Sequence, residues 1–171
     1  MSSAVLEAEI DRERLEAPST ARFAPVEAAL PIEWQKLWLA TQLRPWRSLA
    51  VVRVGEGVPT VRIARTLAGA GACHLGLVVE LVDATSITLG QVRVSTEVWI
   101  ERRGGAERIL LALGPVLTSP ASLALAQVAD AAILCVTLGE SSIAEAQRTI
   151  EEIGHARVLG SVCLRRGEED R

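Results

Sequence analysis

Residues 48–70 read SLAVVRVGEGVPTVRIARTLAGA, and this stretch decides the fold. Ser48 to Val54 is a short, nearly unbroken apolar run rich in β-branched residues, the pattern of a strand buried on both faces. Gly55-Glu56-Gly57 interrupts it with a turn. From Thr60 to Ala70 the period changes, with Val61, Ile63, Ala64, Leu67 and Ala68 falling on one helical face. The unit is therefore strand, glycine turn, helix.

The same alternation continues toward the C-terminus. Leu75 to Val82 reads as a second buried strand, and Arg108 to Leu113 as a third that stops at Gly114-Pro115. Pro120 to Ala129 has helical character, Ala131 to Leu138 is a fourth core strand, and Val158 to Leu164 is the last. Ser141 to Ile153 reads as an amphipathic helix, with Ser142 as its cap and Glu145 three residues on. Buried strands separated by helices predict an α/β fold, a mostly parallel sheet with helices on both faces. Between Ile87 and Arg103 the alternation of Val92, Val94, Val98 and Ile100, followed by Gly104-Gly105, predicts a local antiparallel addition to that sheet.

Upstream, Ile32 to Leu43 has helical spacing, with Trp34 and Trp38 at i,i+4 and an end before Pro45. Residues 1–30 are polar and punctuated by Pro18 and Pro25, which predicts a flexible arm. The expected organisation is an arm over 1–30, an α/β domain over 31–165 and a polar tail over 166–171.

Composition narrows the chemistry. Lys36 is the single lysine among 18 basic residues, and the chain has no tyrosine and no asparagine. A GC-rich genome favours such a bias at tolerant surface positions, yet any mechanism that needs a tyrosine acceptor is excluded. A net charge of −3 supplies no electrostatic footprint for nucleic acid. No apolar run is long enough to span a membrane, and the acidic first residues do not read as a secretory signal. Cys73, Cys135 and Cys163 are widely spaced, which favours reduced thiols in a cytoplasmic protein over a metal or disulfide framework. His74 and His155 stand alone in the sequence, and no metal is expected.

Read together, these elements resemble the deviant Walker P-loop family that includes MinD and ParA. Within it they are most similar to the cytoplasmic domain of bacterial tyrosine kinases that accompany polysaccharide export. Four stretches carry the resemblance. Ile32 to Trp38 (IEWQKLW) is similar to the family's ring-assembly helix, and Ser48 to Ala68 to the Walker A strand, loop and helix. Glu107 to Leu117 (ERILLALGPVL) is similar to the Walker B strand. Ala129 to Leu164 is similar to the last third, through Ala129-Asp130, Gly139 and Val158-Leu159-Gly160.

The departures bear on chemistry. Where the family's loop reads Gly-Glu-Gly-Lys-Ser/Thr-Thr, this chain reads Gly55-Glu56-Gly57-Val58-Pro59-Thr60. Val58 stands in place of the lysine that neutralises phosphate, and Pro59 in place of the magnesium-binding hydroxyl, removing a backbone N–H as well. Glu80 falls near the first aspartate of the family's second acidic strand, Asp83 lies one residue out of register, and Ala112 takes the Walker B acid's place. Arg53, Arg62 and Arg65 flank the loop, but a guanidinium is longer, planar and differently placed than a lysine ammonium.

The resemblance thus implies a pseudoenzyme with no catalytic residues and no cofactor. The expected role is a binding or regulatory module in exopolysaccharide or capsule synthesis and export. Its expected partner is the cytoplasmic part of an inner-membrane polysaccharide co-polymerase or another export component, with homo-oligomers a further expectation. Its expected place is the cytoplasm, peripheral to the inner membrane through that partner. Two alternatives stay open: a MinD/ParA-like positioning or assembly factor, and an atypical ATP-binding enzyme. The interface candidates are Glu33, Trp34, Lys36 and Trp38 on the assembly-like helix, because tryptophan is enriched in interface hot spots. The first reading of these indoles is packing onto the sheet, with partner docking as the functional alternative.

Overall fold

The computed structural model describes residues 18–25, 30–93, 96 and 108–165. Its strands are β1 (Ser19–Phe23), β2 (Ser48–Arg53), β3 (Val79–Ala84), β4 (Arg108–Pro115), β5 (Ala131–Thr137) and β6 (Val158–Leu164). Its principal helices are α1 (Ile32–Thr41), α2 (Thr60–Leu75), α3 (Pro120–Val128) and α4 (Ile143–Ile153). The strands form one sheet in the order β1-β3-β4-β2-β5-β6. All neighbours are parallel except β1, which pairs antiparallel with β3.

β2 is central because its side chains are apolar on both faces. Leu49 and Val51 point into a core under α1 and α2, together with Ile63, Leu67, Leu81, Leu110 and Ile133. Ala50 and Val52 point into a second core under α3 and α4, with Leu111, Leu113, Leu125 and Ile153. Period-2 alternation along one strand thus feeds two layers.

The start of β2 is tied to the start of β5 by Asp130. Its Oδ2 accepts from the Arg47 N–H at 2.9 Å, the Ser48 N–H at 2.8 Å and the Ser48 hydroxyl at 2.9 Å. The Ser48 hydroxyl in turn accepts from the Asp130 N–H at 3.0 Å. The Ala129-Asp130 pair quoted for the resemblance therefore has a structural role here.

Three expectations differ from the structure. Residues 19–23, expected within a flexible arm, form β1 and supply the sheet's antiparallel edge, which was expected instead from the 87–103 region. Residues 89–93 are helical, so Val92 does not lie on a strand; Val94, Val98, Ile100 and Gly104-Gly105 fall outside the described residues. The segment from Leu75 divides differently too: α2 continues through Leu75, and Gly76 at φ +65° caps it with its N–H on the Ala72 carbonyl. Only then does β3 begin, at Val79.

Candidate functional site

Helices α2 and α3 leave the sheet on opposite faces, so the carboxyl ends of β2, β4 and β5 lie at a switch in winding direction, where open α/β sheets form crevices. A cleft of about 500 Å³ opens there. Its wall comes from the end of β2 and its loop (Arg53, Gly55, Glu56, Gly57), the end of β4 and the turn after it (Pro115, Leu117, Thr118), and Glu140 before α4 with Glu145 and Thr149 within it.

The glycine loop holds its shape by backbone conformation. Gly55 and Gly57 have φ +77° and +80°, a region that side-chain-bearing residues avoid. Ser141 fastens the loop from the opposite side. Its hydroxyl donates to the Val54 carbonyl at 2.8 Å and accepts from the Thr137 N–H at 3.0 Å. The Ser142 hydroxyl accepts from the Glu145 N–H at 3.0 Å, and the Glu145 carboxylate accepts from the Ser142 N–H at 3.3 Å, completing a capping box at the cleft margin.

At Val58, Pro59 and Thr60 the loop does not present the groups that a phosphate would use. Val58 is 3% exposed and packs in the α1/α2 core. Pro59 offers no N–H, and the Thr60 N–H turns back to the Val58 carbonyl at 3.0 Å. The Thr60 hydroxyl donates to the Leu113 carbonyl at 3.1 Å and is buried. The α2 N-terminus has no side-chain cap bond. Among the described residues Arg53 is the one basic side chain lining the cleft, and its guanidinium stands 4.0 Å from the Glu56 carboxylate. Among the described lining residues Glu56, Glu140 and Glu145 outnumber it, a balance that disfavours anions.

The acidic positions singled out in the sequence lie on β3 and β4, away from the cleft. Glu80 is buried in β3, directly opposite Arg22 of β1. Asp83 closes a local turn, accepting from the Thr85 N–H at 3.1 Å and the Thr85 hydroxyl at 2.7 Å. Ala112 is fully buried in β4, beside Asp83 and Val51 in register. None of the three lines the cleft. Among the described residues, no group of three or more His, Cys, Asp or Glu is arranged to hold a metal ion. Of the cleft's carboxylates, Glu145 has in the sequence only the signature of a helix cap, and Glu140 has no signal of its own. The carboxyl-end rule for β5 would have brought them to this crevice.

The assembly-like helix presents a different picture. Glu33 and Lys36 are exposed and Trp34 is half-buried. Trp38 departs from the expectation of an accessible docking residue: it is 1% exposed, because its ring fills a notch over Gly71 of α2. Its indole N–H donates to His74 Nδ1 at 3.2 Å, and it meets Trp46 edge to face at 5.6 Å between centroids. Trp46 is likewise buried, its N–H donating to the Thr41 carbonyl at 2.8 Å. Arg108 lies 4.6 Å above the Trp46 ring and donates to the Trp46 carbonyl. Burial and then the neighbouring Arg47 lower the Arg108 pKa, against a smaller opposing pull from Asp130.

The chain matches no known protein family and no curated protein. Among solved structures it is similar, at TM-score 0.36 and 13% identity, to a chain of an E. coli MS115-1 complex of HORMA, CdnC and Trip13. That likeness covers 89% of this chain and 61% of the other, and at this level it bears on neither fold nor function. The fold itself is α/β, a six-stranded and mostly parallel sheet with helices on both faces. No described helix is long and apolar enough to cross a membrane.

Proposed function

We propose that this protein is a non-catalytic relative of the deviant Walker P-loop proteins, serving as a binding or regulatory module in exopolysaccharide or capsule synthesis and export. One observation carries the non-catalytic part. The glycine turn keeps its left-handed residues at the end of the central strand, while Val58 lies in the core and the cleft presents three carboxylates against one guanidinium. Phosphoryl transfer rests on positioning and on neutralising the phosphate oxygens with lysine, metal and a fork of N–H donors. Val58 and Pro59 withdraw the first and part of the last, and the carboxylates oppose the nucleotide's own charge.

The export assignment rests on the resemblance of residues 31–165 to kinases of that system. Its surface is the outer face of α1, where Glu33 and Lys36 are exposed alongside Ile32 and Leu39, which are 58% and 51% exposed. Titration calorimetry with Mg-ATP and Mg-ADP is expected to show no heat of binding at millimolar ligand; tight, magnesium-dependent binding overturns the non-catalytic reading. For the partner, capture from the native cell is expected to recover a polysaccharide co-polymerase with the wild-type chain. A variant carrying Glu33→Lys, Lys36→Glu and Leu39→Ser is expected to lose it. Equal recovery by both proteins counts against α1 as the docking surface.

A further inference from the structure

We infer that the free edge of β6 pairs with β6 of a second copy of this chain, antiparallel about a two-fold axis through Val162. The two ends of the sheet are built differently. β1 is five residues long, with Ser19, Thr20 and Arg22 exposed, the polar and charged edge that resists further pairing. β6 ends the sheet on the other side as VLGSVCL, with no charge and no proline between Val158 and Leu164.

The pairing with β5 fixes which main-chain groups of β6 are free. Cys135, Val136 and Thr137 lie opposite Val162, Cys163 and Leu164, and the Leu138 N–H donates to the Leu164 carbonyl at 2.9 Å. In a parallel ladder this places the N–H and C=O groups of Val162 and Leu164 toward β5 and those of Ser161 and Cys163 outward. Among the described residues no strand pairs with that outer side.

A two-fold at Val162 satisfies all four outward groups of each copy without using a residue beyond β6. With the axis at Val162, Ser161 lies opposite the second copy's Cys163, and Cys163 opposite its Ser161. Each pair exchanges two bonds, giving four across the junction. A two-fold at Ser161 would instead bring Cys163 against Leu159, where the register irregularity between Ala132 and Ile133 breaks the alternation.

The side chains agree with this register. Val162 meets its own copy as a non-hydrogen-bonded pair, the closer of the two kinds. Leu164 faces Gly160, whose would-be Cβ has nothing within 4 Å, so a large side chain meets an open site on the same face. Val162 and Leu164 are half-buried at the margin of the α1/α2 core, and among the described elements α2 lies principally over β2, β3 and β4 rather than over that margin. Ser161 and Cys163, both exposed, adjoin on the opposite face.

Sedimentation of the full chain from low micromolar to near-millimolar concentration tests the pairing. A reversible monomer–dimer equilibrium is expected. Ser161→Pro and Cys163→Pro, which delete outward N–H groups and leave the ladder to β5 intact, are each expected to weaken it about tenfold or more. A wild-type chain that stays monomeric throughout, or folded proline variants that associate like wild type, overturns it. Should the proline variants misfold, Val162→Cys in a Cys73→Ser, Cys163→Ser background gives a second reading. The axis puts the two Cα atoms about 4.5 Å apart, within disulfide reach. Diamide is expected to convert this variant to a covalent dimer far more completely than Glu151→Cys on the α4 surface in the same background. Equal yields from the two positions overturn the proposal.

Discussion

Gly71 shows how a single hydrogen sets the packing of two helices. A Cβ built there would come within 2.5–2.8 Å of three ring carbons of Trp38. Gly71→Ala gains about 1 kcal/mol of helix propensity but loses about 1–3 kcal/mol to overpacking, so net destabilisation is expected in urea unfolding, with a changed tryptophan emission. Gly69 lies in the same helix with nothing within 4 Å of its would-be Cβ. Gly69→Ala is expected to stabilise by up to about 1 kcal/mol. Opposite signs from two glycines one half-turn apart would identify the Trp38 notch as the cause. Asp130 acts at the same scale. Asp130→Ala removes the acceptor for three donors and, at this exposed position, is expected to cost about 1–3 kcal/mol; a denaturation midpoint unchanged from wild type would contradict its role as the link between β2 and β5.

Among the elements, those with their own local signals were legible in the sequence. Ser142 and Glu145 announce α4 through a capping box, and the box is present in the structure. Ser142→Ala is expected to cost about 1 kcal/mol, measured as a fall in thermal midpoint. The apolar runs of β2, β4 and β5 were equally plain, because a strand buried on both faces has few other readings, and β6 was plain from its apolar run although it lies at the sheet's edge. β1 was not legible. STARF carries one large apolar residue, and only its pairing with β3 makes it a strand, a long-range contact that no local pattern encodes. Leu75-Gly76-Leu77-Val78 misled for a related reason: an apolar stretch hides a helix end unless the glycine is taken as a cap. The cleft was half legible. The Gly55–Thr60 loop was found from its spacing, whereas Glu140 and Glu145 reach the same crevice only through strand order.

For the molecule as a whole, Cys135 links the double-sided core to alkaline stability. It lies fully buried in β5, and burial pushes its thiol from 9.0 up to about 12. The unfolded chain therefore releases that proton first as the solution becomes alkaline. Stability is full below about pH 9 and is lost as pH rises toward 12, by an amount on the order of 4 kcal/mol. Cys135→Ala is expected to flatten this part of the stability curve; an unchanged slope would remove the thiol as its source. In native protein at neutral pH a thiol reagent is expected to label Cys73 and Cys163, both exposed, and to reach Cys135 only after unfolding.

The order β1-β3-β4-β2-β5-β6 also governs how the chain can assemble as it leaves the ribosome. β2 is synthesised early, yet its neighbours are β4 and β5, so one edge waits for residue 115 and the other for residue 137. Until Pro115 is made, β2 has neither of its neighbours to pair against, and until Thr137 it has only one. A chain halted between β4 and β5 leaves one edge of β2 unpaired, an opening for misassociation that closes only when Thr137 is reached.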